Sequence, residues 1–182
     1  MQGLKTISPT SDILLTGLFK EYKSAAWAYQ DLLNSGYKKE DIHLFMSEET
    51  RKAHFPDTDT ETQIGSKTLQ GVGIGSSIGG ALGAIAAAVV AVGTSLSIPA
   101  LGLVIAGPIA ASLAGAGVGG LTGGIVGALV GAGIPDDKAK IYEAELKAGG
   151  IVIGVSPHYK EDIAEIKGKW KEHQAESIFS SQ

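Results

Sequence analysis

The residues that could do chemistry are few, and each candidate is better explained by packing. Gly75-Ser76-Ser77-Ile78-Gly79 has the spacing of G-x-S-x-G, the nucleophile elbow of serine hydrolases. That elbow needs a strand-to-helix turn with Asp and His partners, and no charged residue lies near Ser77 in the sequence. Gly115, Gly117 and Gly120 match the dinucleotide pattern G-x-G-x-x-G but sit inside a longer glycine series and do not follow a strand. A Walker-type phosphate loop requires a lysine that this stretch lacks. Asp57, Asp59 and Glu61 alternate like the start of a calcium loop. Yet Thr62 stands where the loop needs glycine and Thr68 where it needs a bidentate glutamate, so a solvated linker is expected. The four histidines, His43, His54, His158 and His173, show no ligand spacing and read as surface residues. With no cysteine in the chain, thiolate nucleophiles, thiolate metal sites and disulfides are excluded together. No catalytic, metal or cofactor-binding residue emerges, and the expectation is a protein that is not an enzyme.

The charge distribution shows what the chain is built for. Between Lys67 and Asp136 lie 68 residues without a single Lys, Arg, Asp or Glu. The flanks are about 30% charged, above the quarter usual for soluble domains. The net charge of −4 offers no electrostatic reason to expect nucleic acid as a partner. The chain carries 26 glycines and only four phenylalanines, which leaves it short of the large side chains that fill an ordinary core.

Within the uncharged block, small residues recur every fourth position. Gly71, Gly75, Gly79 and Gly83 form one ladder, continued by Ala87 and Ala91. Ala111, Gly115, Gly119, Gly123, Gly127 and Gly131 form a second. Spacing of four puts each set on one ridge of a helix. Rows of aliphatics run beside them: Ile74, Ile78, Leu82, Ile85 and Val89 on the first, and Leu121, Ile125 and Leu129 on the second. A glycine groove beside an aliphatic ridge lets two helix backbones approach closely, the small-xxx-small rule of membrane helices. Residues 71–94 and 108–133 are each long enough to cross the hydrocarbon, which takes about 20 residues. Pro99 and Pro108 bracket an expected turn at Leu101–Gly107. The expectation is a helical hairpin over 68–135 that meets a lipid bilayer and forms a homo-oligomer. Eight Ile, Leu or Val residues in the first arm give only a few kcal/mol toward insertion, so one arm alone is marginal. Burial of the ladders between subunits of a self-assembling particle or filament is the alternative. A pore is a further one, although only Ser76, Ser77, Ser112 and Thr122 offer polarity to a lumen.

The flanks predict a split α/β module. Asp12–Phe19 reads as a buried strand, Tyr22–Ser35 as a helix stopped by Gly36, and Asp41–Met46 as a second strand. Glu48–Ser66, polar and containing Pro56, reads as a linker. Beyond the block, Pro135 and Asp136 start a helix over Asp137–Ala148, which Gly149-Gly150 ends. Ile151–Val155 predicts a third strand, Glu161–His173 a helix with Ile163, Ile166 and Trp170 on one face, and Glu176–Ser180 a fourth, edge strand. Trp27 and Trp170 are expected to pack in or at the rim of the core. Lys160, Lys167, Lys169 and Lys171 interleave with Glu161, Glu165 and Glu172, as on a solvated face. The two ends echo each other, which predicts an α+β ferredoxin-like split βαβ module with an inserted glycine-zipper α-helical hairpin. The division expected is 1–67 for the first half and acidic linker, 68–135 for the hairpin, and 136–182 for a helix and the second half.

Gly133–Val155, GIPDDKAKIYEAELKAGGIVIGV, strongly resembles bacterial general-stress, heat-induced-stress type proteins with a glycine-zipper segment. The resemblance rests on Gly-Ile-Pro, then Ala139, Tyr142, Glu143 and the Gly149-Gly150 pair leading into an apolar strand. Ile98–Gly120 and the first strand–helix–strand fit the same pattern, so most of Asp12–Val155 is covered. It implies a membrane protein of the stress response with no established catalytic residues; the residues themselves make no small-molecule substrate evident. Met1 to Asp12 lacks the apolar run of a secretory leader. Two spans would then leave both termini cytoplasmic at the bacterial inner membrane, with a cytoplasmic assembly as the alternative.

Overall fold

The computed structural model describes residues 13–54, 95–110 and 123–181. Its centre is one six-stranded sheet in which every neighbouring pair is antiparallel. In chain order the elements are β1 (Leu15–Phe19), α1 (Tyr22–Asn34), β2 (Ile42–Ser47), α2 (Glu48–His54), β3 (Ser95–Ile98) and β4 (Leu103–Ala106). They continue with α3 (Gly124–Gly131), α4 (Asp136–Lys147), β5 (Ile151–Val155), α5 (Asp162–Glu172) and β6 (Glu176–Ser180). The spatial order of the strands is β3-β4-β2-β5-β1-β6. β5 therefore lies between β1 and β2, and β1 lies between β5 and β6.

Both faces of the sheet are covered, which explains why its central strands are continuously apolar. Leu15, Phe19, Ile42, Leu44, Met46, Ile151, Ile153 and Val155 point to one side, where α1 and α5 bring Ala25, Tyr29, Leu32, Ile166 and Trp170. The alternate residues Leu18, Phe45, Leu103, Ile105 and Val152 point to the other side, against Ile125, Ala128 and Leu129 of α3 and Ala139, Tyr142 and Leu146 of α4. The period-two alternation of side chains thus feeds two cores at once. Gly17 makes room for one of them: a Cβ there would sit 2.6 Å from Cε3 of Trp170, whose indole meets Phe19 edge to face.

The flanking elements form where the residue pattern places them, within one residue at each end, except that β1 starts at Leu15 rather than Asp12. Three expectations fail. Glu48–Ser66 is not linker throughout, because α2 occupies Glu48–His54. Ser47 starts it: its Oγ accepts the Thr50 amide at 3.1 Å, a side-chain cap on the first turn. Arg51 closes the helix onto Glu48 at 3.0 Å, and that hydrogen bond holds the Glu48 carboxyl below its usual range.

The larger correction falls on the uncharged block. The turn expected at Leu101–Gly107 is instead a β-hairpin, β3 and β4 joined through a 3-10 turn at Pro99–Leu101. β4 pairs with β2, with Leu44 opposite Ala106 and Ser47 opposite Leu103, so the hairpin extends the main sheet by two strands. The second arm is also not one helix over 108–133. Residues 108–110 are helical, but Gly124, at the start of α3, has φ +69°, a left-handed conformation that a continuous right-handed helix excludes. Among the described residues, no helix is long and apolar enough to cross a membrane.

Candidate functional site

The uncharged block is the chain's most unusual feature, and the structure fixes how it is rooted. Ser95 pairs with Ala106 across the β3–β4 ladder. The point where residues 55–94 return to the sheet therefore lies beside the point where the chain leaves it toward 111–122. Two small-residue series far apart in sequence are tethered to neighbouring positions at one end of the sheet.

The roots are firm. His54, at the end of α2, stacks on Tyr22 of α1 with ring centroids 4.4 Å apart. The Glu48 amide donates to the Gly102 carbonyl at 2.8 Å, tying α2 to the hairpin turn. After β4, Gly107 adopts φ +101° and packs so closely that a Cβ would run into the carbonyl oxygen of Ile42. His43, on β2, accepts the Ile109 amide at Nδ1 over 3.4 Å. Burial pulls the His43 imidazole down to about 4, with Asp41 opposing that shift. His43 is only 4% exposed, so the expectation of four surface histidines fails at this position. The buried one is the residue directly before Leu44 in a strand whose faces are both covered.

The second ladder is divided between two environments. Ile125 and Leu129, expected to form a ridge against the other arm, are instead buried in the sheet core. Gly123 and Gly131 remain exposed and Gly127 half-buried, beside Val130, which is 43% exposed. The core takes the large side chains of α3, and the glycine row faces outward. Gly71, Gly75, Gly79, Gly83, Gly115 and Gly119 lie outside the described residues. So do the patterns at Ser77, at Gly115–Gly120 and at Asp57, Asp59 and Glu61.

The roots also bear on length. Ala110 and Ile125 belong to the same core, and residues 111–122 join the helical residues 108–110 to Gly123. Twelve residues are short of the roughly 20 a bilayer crossing takes.

A second cluster, not anticipated from sequence, sits between α1 and α5. Tyr37 donates its phenol hydrogen to Asp162 Oδ2 at 2.8 Å and accepts the His158 amide at 3.3 Å. The His158 ring stacks on Tyr37 and reaches Asp41 Oδ2 at 3.2 Å. Burial first, then the Asp162 contact, raises the Tyr37 phenol well above its usual range. Lys169 bonds Ser35 Oγ at 2.9 Å and Glu165 at 2.8 Å, and with Asn34 and Ile166 these residues line a cleft of about 290 Å³. His173 meets Asp31 at 2.7 Å further along the same two helices. The charged groups named here already face one another, so the arrangement clamps α5 to α1 and to the start of β2. The expected solvated lysine face includes Lys169, which instead spans the two helices. Trp170 is buried as expected, and Trp27 packs at the rim of the same core.

No family model, no curated protein and no solved structure matches this chain.

Proposed function

We propose that this chain is a non-enzymatic stress-response protein: a ferredoxin-like α+β body that forms homo-oligomers through its two uncharged small-residue arms. The observation that carries the reading is the pairing of Ser95 with Ala106, which roots both arms side by side. Tethering two weakly associating segments at adjacent points raises their effective concentration for each other and for the same pair on another copy. Gly123 and Gly131, outward on α3, extend the small-residue surface onto the body. The ferredoxin-like description is supported by the strand order β6-β1-β5-β2 within the sheet, which holds two interleaved βαβ units. The β3–β4 hairpin then adds to the edge at β2.

Of the two settings for such packing, protein against protein is favoured by the shortness of 111–122 and the shared core at its ends. Contact with a lipid bilayer is the second reading, favoured by the 68 uncharged residues.

The test is Gly79→Leu combined with Gly131→Leu in the full chain, read by sedimentation velocity and by flotation with lipid after an alkaline carbonate wash. Smaller particles with an unchanged circular dichroism spectrum are expected. Unchanged particle size would remove the zipper account. Wild-type protein that floats and resists the wash would replace the protein-only assembly by the membrane reading.

A further inference from the structure

The turn that leads out of β4 bonds the His43 side chain through the Ile109 amide, and we propose that His43 is a proton-operated latch on it. Uncharged, the imidazole fastens residues 107–110 to β2; protonated, it releases them.

The hydrogen bond sets the polarity of the device. The Ile109 N–H can donate to Nδ1 only when that nitrogen carries no proton, so the ring hydrogen is on Nε2. A second proton has to go on Nδ1, where it meets an N–H donor at the beginning of a helical turn. One attractive contact becomes a repulsive one, and a positive charge is placed among apolar groups. The surroundings offer little compensation. In the turn just before β2, Asp41 is the charged group that acts on the ring. From β5 the neighbour is Gly154, whose Cβ position lies 3.4 Å from the His43 ring, and from the segment before β1 Leu14 approaches the same point. The exit turn contributes Gly107, Pro108, Ile109 and Ala110, none of them charged. α4 presents Ala139, Tyr142 and Leu146 to the sheet.

The lever is equally defined. Gly107 sits against the Ile42 carbonyl, one residue before His43, so a shift of the ring and a shift of the turn are coupled through adjacent backbone. Ala110 is 2% exposed in the core that also holds Ile125, Ala128 and Leu129. Release at His43 therefore loosens the seat of α3 and frees the root of the second arm. The sign follows from the lowered proton affinity. The open form binds a proton at the ordinary histidine value near 6.5 and the closed form only near 4. Closure is complete above about 6.5, weakens as pH falls, and has lost all of this contribution once pH has passed through about 4.

This latch supplies a regulation for the proposed assembly, but its test does not depend on that reading. Hydrogen exchange, corrected for its intrinsic pH dependence, is followed by mass spectrometry on peptides covering 103–110 and 151–155 in the full chain and in His43→Gln. The glutamine oxygen can still accept the Ile109 amide and does not titrate. In the wild type, protection at 107–110 is expected to fall relative to β5 by about a hundredfold between pH 7 and pH 4. In His43→Gln the ratio should stay level. An unchanged ratio in the wild type, or an equal fall in the variant, overturns the latch. Failure of the assembly reading shows separately, as particle size insensitive to the arm substitutions while the exchange ratio still responds to pH.

Discussion

Tyr142 of α4 and Thr16 of β1, 126 residues apart, share a hydrogen bond of 3.0 Å inside the core between α4 and the sheet. The Tyr142 phenol donates onward to the Ser177 carbonyl at 2.7 Å, so Thr16 supplies the hydrogen of the shared bond. This short relay joins a helix, a central strand and the edge strand β6. Ser177 holds φ +48°, and the β1–β6 register shifts between Thr16 and Leu18, so the relay reaches the irregular part of that edge. Tyr142→Phe should cost about 1–3 kcal/mol, because it leaves the Thr16 hydroxyl buried without its acceptor. Thr16→Val with Tyr142→Phe should cost less than the sum of the single changes. Urea unfolding of the four proteins measures this, and strict additivity would show that the two groups act independently.

Alkaline pH should weaken the fold through the same residue. Burial raises the Tyr142 phenol to about 12, against the pull of Thr16, and Tyr29 and Tyr37 shift in the same direction. The folded state then holds protons that the unfolded chain releases near 10. Stability is full below pH 10 and declines as pH rises toward 12. A tyrosinate absorbance titration alongside unfolding checks it. Tyr142→Phe should flatten part of the decline, and a buried phenol titrating at its ordinary value would contradict the burial argument.

Two glycines should be intolerant of alanine for different reasons. At Gly17 the added methyl collides with the Trp170 ring, and overpacking of this kind costs about 1–3 kcal/mol. Replacing Trp170 by Leu in the same protein should recover part of that loss. At Gly107 the obstacle is the Ile42 backbone together with φ +101°, and no side-chain change can relieve it. Thermal unfolding of Gly17→Ala, Gly17→Ala with Trp170→Leu, and Gly107→Ala separates the two cases. Equal rescue of both by Trp170→Leu would contradict the assignment.

On α3, stability and assembly should divide by face. Leu129→Ala empties a fully buried site and should cost about 2–5 kcal/mol without changing particle size. Gly131→Leu, at an exposed position, should leave the unfolding midpoint within about 0.5 kcal/mol and reduce particle size. Sedimentation velocity and urea unfolding on both variants give the comparison. The opposite pattern would place the large residues, not the glycines, at the subunit contact.

The sequence by itself determined the elements whose pattern is local. Ile151–Val155 and Glu176–Ser180 stand as strands with the ends their residues imply, the first because an apolar run bounded by Gly149-Gly150 has few other conformations. α1, α4 and α5 follow from apolar spacing and their stops. The uncharged block was legible as a composition but not as a structure. Ser95–Ile98 and Leu103–Ala106, flanked by Pro99 and Pro108, carry no hydropathy contrast with their surroundings. They are strands because β2 offers an edge, with Ala106 opposite Leu44. The division of α3 was hidden for a related reason: Ile125 and Leu129 suit either a second helix or a sheet, and only the presence of Phe45, Leu103 and Val152 beside them decides which. Ser47 was a local signal for α2, a cap followed by two glutamates, that the polar character of the following residues obscured. The long-range polar contacts had no signal of this kind. Tyr37 and Asp162 lie 125 residues apart, and His43 and Ile109 lie 66 apart. A hydrogen bond constrains two atoms in space and leaves no periodicity along the chain, so only the folded sheet, by bringing β2, β5 and their connections together, decides those pairs.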